Sequence, residues 1–248
     1  MLKRTSTYLA PVVFAVVTVA SAGAMTIGSA SADPLVACLT TPCIDFGNVL
    51  EGGGTASYAG GDAPLVGTDI QISRIDGIGT PENSTFPLDG LIVSNGLLDF
   101  ETGALIEYDP ITGYHFAGGG SFVITGGIAE LGLDDDTVLA TGTFTEAMFQ
   151  PGPLQFSVAL RGTDTKHEDI VTYFGLDPNL LFAFQGGFLT EPFLAGPEPD
   201  PFSVDVLSID IPNVPADAVI PEPATLLLMG SGIAVHGALM RRRRRSRN

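Results

Sequence analysis

Carboxylates are the side chains in this sequence most able to do chemistry, and their abundance makes any single one uninformative. Glu101, Glu107 and Asp109 lie close enough in sequence to suggest a glycosidase pair, which needs two carboxylates facing across a cleft. The chain has no tryptophan and only five tyrosines, so it is poor in the rings on which sugars stack. No serine stands in a Gly-x-Ser-x-Gly elbow, and neither Cys38 nor Cys43 has an evident base partner. His115 and His167 are the body's two histidines. His167, between Lys166 and Glu168, reads as solvated, and His115 as facing a core or a rim. The densest cluster is Asp134-Asp135-Asp136, following Gly132. Calcium takes several carboxylate and carbonyl oxygens from a turn. Adjacent residues of an extended chain point to opposite sides, however, and the spacing fits no calcium loop. Weak calcium binding here or at Glu107 and Asp109 is the one metal expectation; no other cofactor is expected.

The ends are more specific than the middle. Lys3 and Arg4 precede an apolar stretch from Tyr8 to Ala24, and Ala30-Ser31-Ala32 offers small side chains where a signal peptidase inspects the chain. Cleavage is expected between Ala32 and Asp33, making residues 1–32 a signal peptide. At the other end, Pro221-Glu222-Pro223 is followed by an apolar run over 224–240 and then by Arg241, Arg242, Arg243, Arg244, Arg245 and Arg247. That run is about 25 Å long as a helix, enough to cross a bilayer that thins locally. Clustered arginines stay in the cytoplasm, so the body is expected outside it. The two prolines remove backbone donors and keep the chain extended just before the span.

Pro221-Glu222-Pro223-Ala224-Thr225-Leu226-Leu227-Leu228, with Gly230-Ser231-Gly232 and the arginine tail, resembles the PEP-CTERM sorting signal. The resemblance covers about the last thirty residues; His236 within the span is a small departure. It implies recognition at Pro221-Glu222-Pro223 by an exosortase and loss of the apolar tail. It also implies a Gram-negative host that makes exopolysaccharide. The body is similar, more loosely, to PEP-CTERM proteins whose ectodomains carry a Gly-Gly-Ser-Phe-x-Ile-Thr-Gly-Gly strand, here Gly119 to Gly127. Those proteins also carry a later acidic helix ending in Phe-Gly-Leu, here Phe174-Gly175-Leu176. That likeness implies no activity.

Residues 33–220 hold 27 of the 28 acids against Arg74, Arg161 and Lys166, a formal charge of −24. Such a field excludes nucleic acid as a partner. It also opposes anionic lipid or polysaccharide unless divalent cations intervene. Cys38 and Cys43, with four residues between them, are expected to form a small-loop disulfide in an oxidising compartment. By chain entropy that loop contributes roughly 2 kcal/mol, a local staple.

The elements that must position these residues read as short strands and dense turns. Period-two stretches run over 69–73, 90–94, 121–125 and 154–160. A further strand over 202–211 changes phase between Val206 and Leu207, which predicts a bulge or burial on both faces. Asp76-Gly77, Asn95-Gly96, Thr102-Gly103, Asp109-Pro110, Thr112-Gly113 and Gly126-Gly127 read as turns. Thr165 and Glu168 have capping-box spacing ahead of Ile170, Val171 and Phe174, with Gly175 as a stop. That predicts one short helix plugging an end. The expectation is a mainly β ectodomain over 33–212, an antiparallel sandwich or barrel, with a linker at 213–220 and the sorting signal at 221–248. The function expected is a non-catalytic surface or matrix protein associated with exopolysaccharide and handled by signal peptidase and exosortase. A calcium-dependent polysaccharide-binding module and a secreted carbohydrate or ester hydrolase are the alternatives.

Overall fold

Alternating inward and outward side chains carry through most of the body, and the strands they build close on themselves. The structure, a computed structural model, describes residues 38, 41–47, 53–84, 90–150, 156–192 and 196–216. Among them are β1 (Cys43–Gly47), β2 (Thr55–Tyr58), β3 (Pro64–Gln71), β4 (Arg74–Ile78), β5 (Leu91–Ile92), β6 (Ser94–Asp109), β7 (Gly113–Gly127), β8 (Val138–Gln150), β9 (Phe156–Lys166), β10 (Phe182–Thr190) and β11 (Phe202–Pro215). One α-helix, α1 (Glu168–Tyr173), and a 3-10 turn at Ala129–Leu131 complete the described elements.

The barrel alternative holds over the sandwich. β10 pairs with both β9 and β11, and β11 pairs in turn with β2 and β1, which closes an eight-stranded ring. The eleven strands make eight staves because three staves are broken in two. β1 and β2 lie end to end along β11, at Asp210–Asn213 and Phe202–Asp205 respectively. β4 continues β3 past a kink at Ile72 and Ser73, and β6 continues β5 past Val93; Ser73 carbonyl accepts the Val93 N–H across that gap at 2.9 Å. All pairings are antiparallel and follow chain order, an up-and-down barrel closed between its first and last staves.

Several turn signals turn out to be strand kinks. Asp76-Gly77 lies within β4, and Asn95 (φ 48°) and Thr102-Gly103 sit at register shifts within β6. Closing a sheet forces its strands to bend, and bulges supply the bend. Of the expected turns, Asp109-Pro110 and Thr112-Gly113 flank the β6–β7 hairpin; Asp109 Oδ1 accepts the N–H groups of Ile111 and Thr112 there. The phase change in β11 is a bulge at Leu207, where Leu189 pairs with Ser208 but Thr190 with Val206. β11 runs to Pro215, past the expected boundary at 212, and Ile211 to Pro215 are buried on both faces.

The lumen is filled with side chains. Phe100, Phe122, Phe144 and Phe184 pack mutually, mostly edge to face, at centroid distances of 5.2 to 5.9 Å. Phe100, Phe122 and Phe184 each need a neighbour without a side chain, at Gly67, Gly142 and Gly162 respectively. A Cβ on Gly67 would lie 2.1 Å from Phe100, and one on Gly142 2.4 Å from Phe122. Large and small residues therefore alternate around the inner wall. Outward positions on β6–β9 include Asp99, Glu101, Ser121, Thr141, Thr143, Thr163 and Thr165, with Ile106 and Val138 exposed among them.

Both ends are closed. At one, α1 buries Ile170, Val171 and Phe174. Its cap is His167, whose Nδ1 accepts the Asp169 N–H at 3.3 Å, whereas Thr165 stays in β9 and does not form the expected capping box. Gly175, at φ 72°, follows the helix as expected. At the other end Tyr58, Tyr114, Phe116, Phe149 and Phe202 cluster. The segment before β11 folds over them, with Tyr114 donating to the Asp200 carbonyl at 3.3 Å and Tyr108 to that of Gly196.

Candidate functional site

Among the described residues, the outer wall of the barrel offers room for a partner. Alternation places Glu101, Ser121, Thr143 and Thr163 side by side across four staves, with Asp99, Val123, Thr141 and Thr165 in the next row. Neighbouring strands are about 4.8 Å apart, so the hydroxyls repeat at that spacing. With Thr68 and Leu181 they line a shallow groove of about 800 Å³. Gly67 and Gly142 lie in its floor. Thr141 and Thr165 Oγ1 are 3.4 Å apart, and Asp99 Oδ1 accepts the Asp69 N–H at 2.9 Å. Hydroxyls both donate and accept, so this surface suits a ligand rich in hydroxyl groups. The sequence reading missed it, although Thr141-Gly142-Thr143 and Thr163-Asp164-Thr165 show the period-two threonines that build it.

Two charged constellations also escaped the sequence reading. Inside the barrel, Lys166 Nζ bonds both Asp164 oxygens at 2.8 Å, with side chains 0% and 1% exposed. The ammonium sits 4.1 Å from the Phe182 ring centroid and 5.6 Å from that of Phe46, a cation–π arrangement. Burial raises the Asp164 carboxyl and lowers the Lys166 ammonium, and their mutual attraction opposes both shifts. Losing either partner strands a buried charge, so the pair holds the interior to one arrangement. On the outer wall, Asp45 of β1 lies near Asp210 of β11 and opposite Asp76 of β4. Burial, then the Asp210 charge and a hydrogen bond between the two side chains, push Asp45 up to about 9. One Asp45 oxygen is buried without a hydrogen-bond partner, and Arg74 binds Asp76 at 2.7 Å.

The sequence-predicted residues scatter. Glu101 lies in the groove, while Glu107 and Asp109 stand six and eight residues further along β6, about 20 Å or more at 3.3 Å per residue. They do not share a cleft with Glu101, and Asp109 is occupied with the hairpin turn. His115 pairs in register with Glu107 on β7. In the aspartate triplet, Asp135 accepts from Ser94 Oγ and Asn95 Nδ2, each at 2.6 Å, and these donors hold its carboxyl below the usual range. It latches the β7–β8 loop to the start of β6. No group of three or more ligating side chains forms a metal site among the described residues. Cys38 and Cys43 form the disulfide, and Cys43 packs on Val214.

Ala30, Ala32, Asp33, Pro221, Glu222, Pro223, the apolar run at 224–240 and the arginine tail lie outside the described residues. No helix among the described residues is long and apolar enough to cross a membrane.

The family profile of the PEP-CTERM protein-sorting motif matches residues 219–245. No curated protein and no solved structure matches the chain. The matched stretch contains the tripeptide, the apolar run and five of the arginines, in that order. A motif of this kind marks an exported protein anchored through its C-terminal segment and then processed by an exosortase.

Proposed function

We propose that this protein is a non-catalytic component of the cell surface or extracellular matrix: a filled, acidic barrel exported by its N-terminal signal and delivered by exosortase processing to associate with exopolysaccharide. The sorting motif at 219–245 carries the proposal. The barrel supports it, because its lumen is occupied by phenylalanines and the Asp164–Lys166 ion pair inside it is sealed from solvent. Such a body presents its outer wall to a partner. The hydroxyl-lined groove favours one elaboration, a polysaccharide contact made through hydrogen bonds instead of ring stacking. Each such contact is weak, and many copies along one polymer add up by avidity.

The test is the intact mass of the mature protein from its own host, with and without the host's exosortase. Loss of residues 1–32 and a new C-terminus near Pro221-Glu222-Pro223, only in the strain with the enzyme, is the expected result. Added mass at that terminus identifies what the protein is attached to. An intact arginine tail in the normal host overturns the proposal.

A further inference from the structure

One part of the lumen gathers three buried polar side chains among aromatic rings. Lys166 and Asp164 of β9 form the sealed ion pair, and Asn213 of β11 is 0% exposed. Asn213 Nδ2 donates to the Ile211 carbonyl, but its Oδ1 is buried without a hydrogen-bond partner. An amide oxygen left unpaired in an apolar interior is costly. Strand register carries Asn213 toward the ion pair. β10 pairs with both β9 and β11, so a single stave separates them. On the inner face Asn213 stands between Phe184 of β10 and Ile44 of β1. Its inward neighbours along β11 are Ile211, paired with Phe46, and Pro215, paired with Phe182. Those are the two rings that flank Lys166 Nζ, at 5.6 Å for Phe46 and 4.1 Å for Phe182. Asn213 therefore issues from the stretch of wall between the residues whose rings enclose the ammonium.

We infer that Lys166 Nζ and Asn213 Cγ join in an isopeptide bond, with Asp164 as the group that moves the proton. The structure holds the reactants. Burial disfavours both the Lys166 ammonium and the Asp164 carboxylate, and so favours passing one Nζ proton to Asp164. The neutral amine is a nucleophile. As it attacks, the Nζ–Cγ bond forms and the Cγ–Nδ2 bond breaks. One of the two protons left on Nζ passes to Nδ2, which departs as ammonia. Asp164 ends as a neutral acid whose O–H is free to donate to the oxygen that Asn213 leaves unpaired. No oxidant or cofactor enters. The step takes both charges out of the lumen, where each carries a desolvation penalty. Amines attack amides slowly in water, but groups held together in a closed core react at a far higher effective concentration. The disulfide between Cys38 and Cys43 closes only a local loop. The isopeptide bond ties the last stave to β9 across the barrel, which suits a body that must endure outside the cell. It is independent of how the chain is sorted.

Peptide mass mapping of the purified, unaltered full chain tests this and needs no variant. Trypsin cuts after a free lysine and spares an acylated one. Beyond Arg161 the chain offers it only Lys166 before Arg241. The denatured chain is expected to resist cutting after Lys166 and to yield residues 162–241 as one piece, lighter than its sequence by one ammonia. A second digestion after aromatic residues should leave the Lys166 and Asn213 peptides joined. Complete cutting after Lys166, with both pieces at their plain masses, overturns the bond. Ammonia lost while Lys166 is still cut, as cyclisation at Asn95-Gly96 would produce, overturns it too. Asp164→Asn, in protein that still unfolds cooperatively, is expected to restore cutting after Lys166. Joined peptides in that variant overturn the part given to Asp164.

Discussion

Asp45 shows how a residue's meaning depends on what the fold sets beside it. In sequence it is one of 28 acids. In the barrel wall it is mostly buried beside Asp210, and its carboxyl is pushed up to about 9 from an ordinary value of 3.8. A raised carboxyl means that the folded state holds a proton which the unfolded chain releases. Its contribution to stability is therefore complete below about pH 4 and is lost as pH rises toward 9. Thermal unfolding should show a melting temperature that falls across this window. Asp45→Asn should flatten the fall, with about 2–4 °C recovered at pH 9 per kcal/mol of relieved repulsion. An unchanged pH profile in the variant would show that Asp45 ionises freely. The triplet Asp134-Asp135-Asp136 makes the converse point. It stood out in sequence, yet Asp135 serves as a hydrogen-bond latch for Ser94 and Asn95.

At the scale of elements, period-two patterns and glycines were legible but their roles were partly exchanged. Strand over 121–125 lies inside β7, and the phase slip near Val206 is the Leu207 bulge. Asp76-Gly77 and Thr102-Gly103, expected as turns, lie within strands, because a closed sheet bends its strands where glycine permits. Other glycines make room for rings. Gly142→Ala would set a Cβ 2.4 Å from Phe122, 2.6 Å from the Thr163 carbonyl and 2.7 Å from Asp164. Overpacking of this kind costs roughly 1–3 kcal/mol, read as a lower urea midpoint at unchanged slope. Phe122→Leu added to Gly142→Ala should recover part of the loss. A Gly142→Ala variant as stable as the parent would refute the pairing of large and small residues. The helix was also legible from Ile170, Val171, Phe174 and Gly175, but its cap moved to His167 because Thr165 and Lys166 are held in β9 by pairing with β8.

For the whole molecule, the acidic body and the hydroxyl groove together set what it can touch. With a formal charge of −24 over 33–220, association with a neutral polymer needs no cation, whereas an anionic one needs calcium or another divalent ion as a bridge. Processed protein should be retained on immobilised host polysaccharide, release no sugar ends over time, and stay bound in chelator. Thr143→Glu with Thr163→Glu, mid-groove, should abolish retention, whereas the two serine replacements should keep it. Elution by chelator would establish calcium bridging instead, and release of sugar ends would establish a hydrolase. By itself the sequence determined the sorting signal, the β class, the short helix and the charge. These rest on local order, periodicity and counting, which need no knowledge of what lies opposite. The tertiary structure decided closure into a barrel, the filled lumen, the Asp164–Lys166 and Asp45–Asp210 pairs and the groove. Each depends on strand register between residues distant in sequence, and a one-residue slip would turn every side chain to the other face.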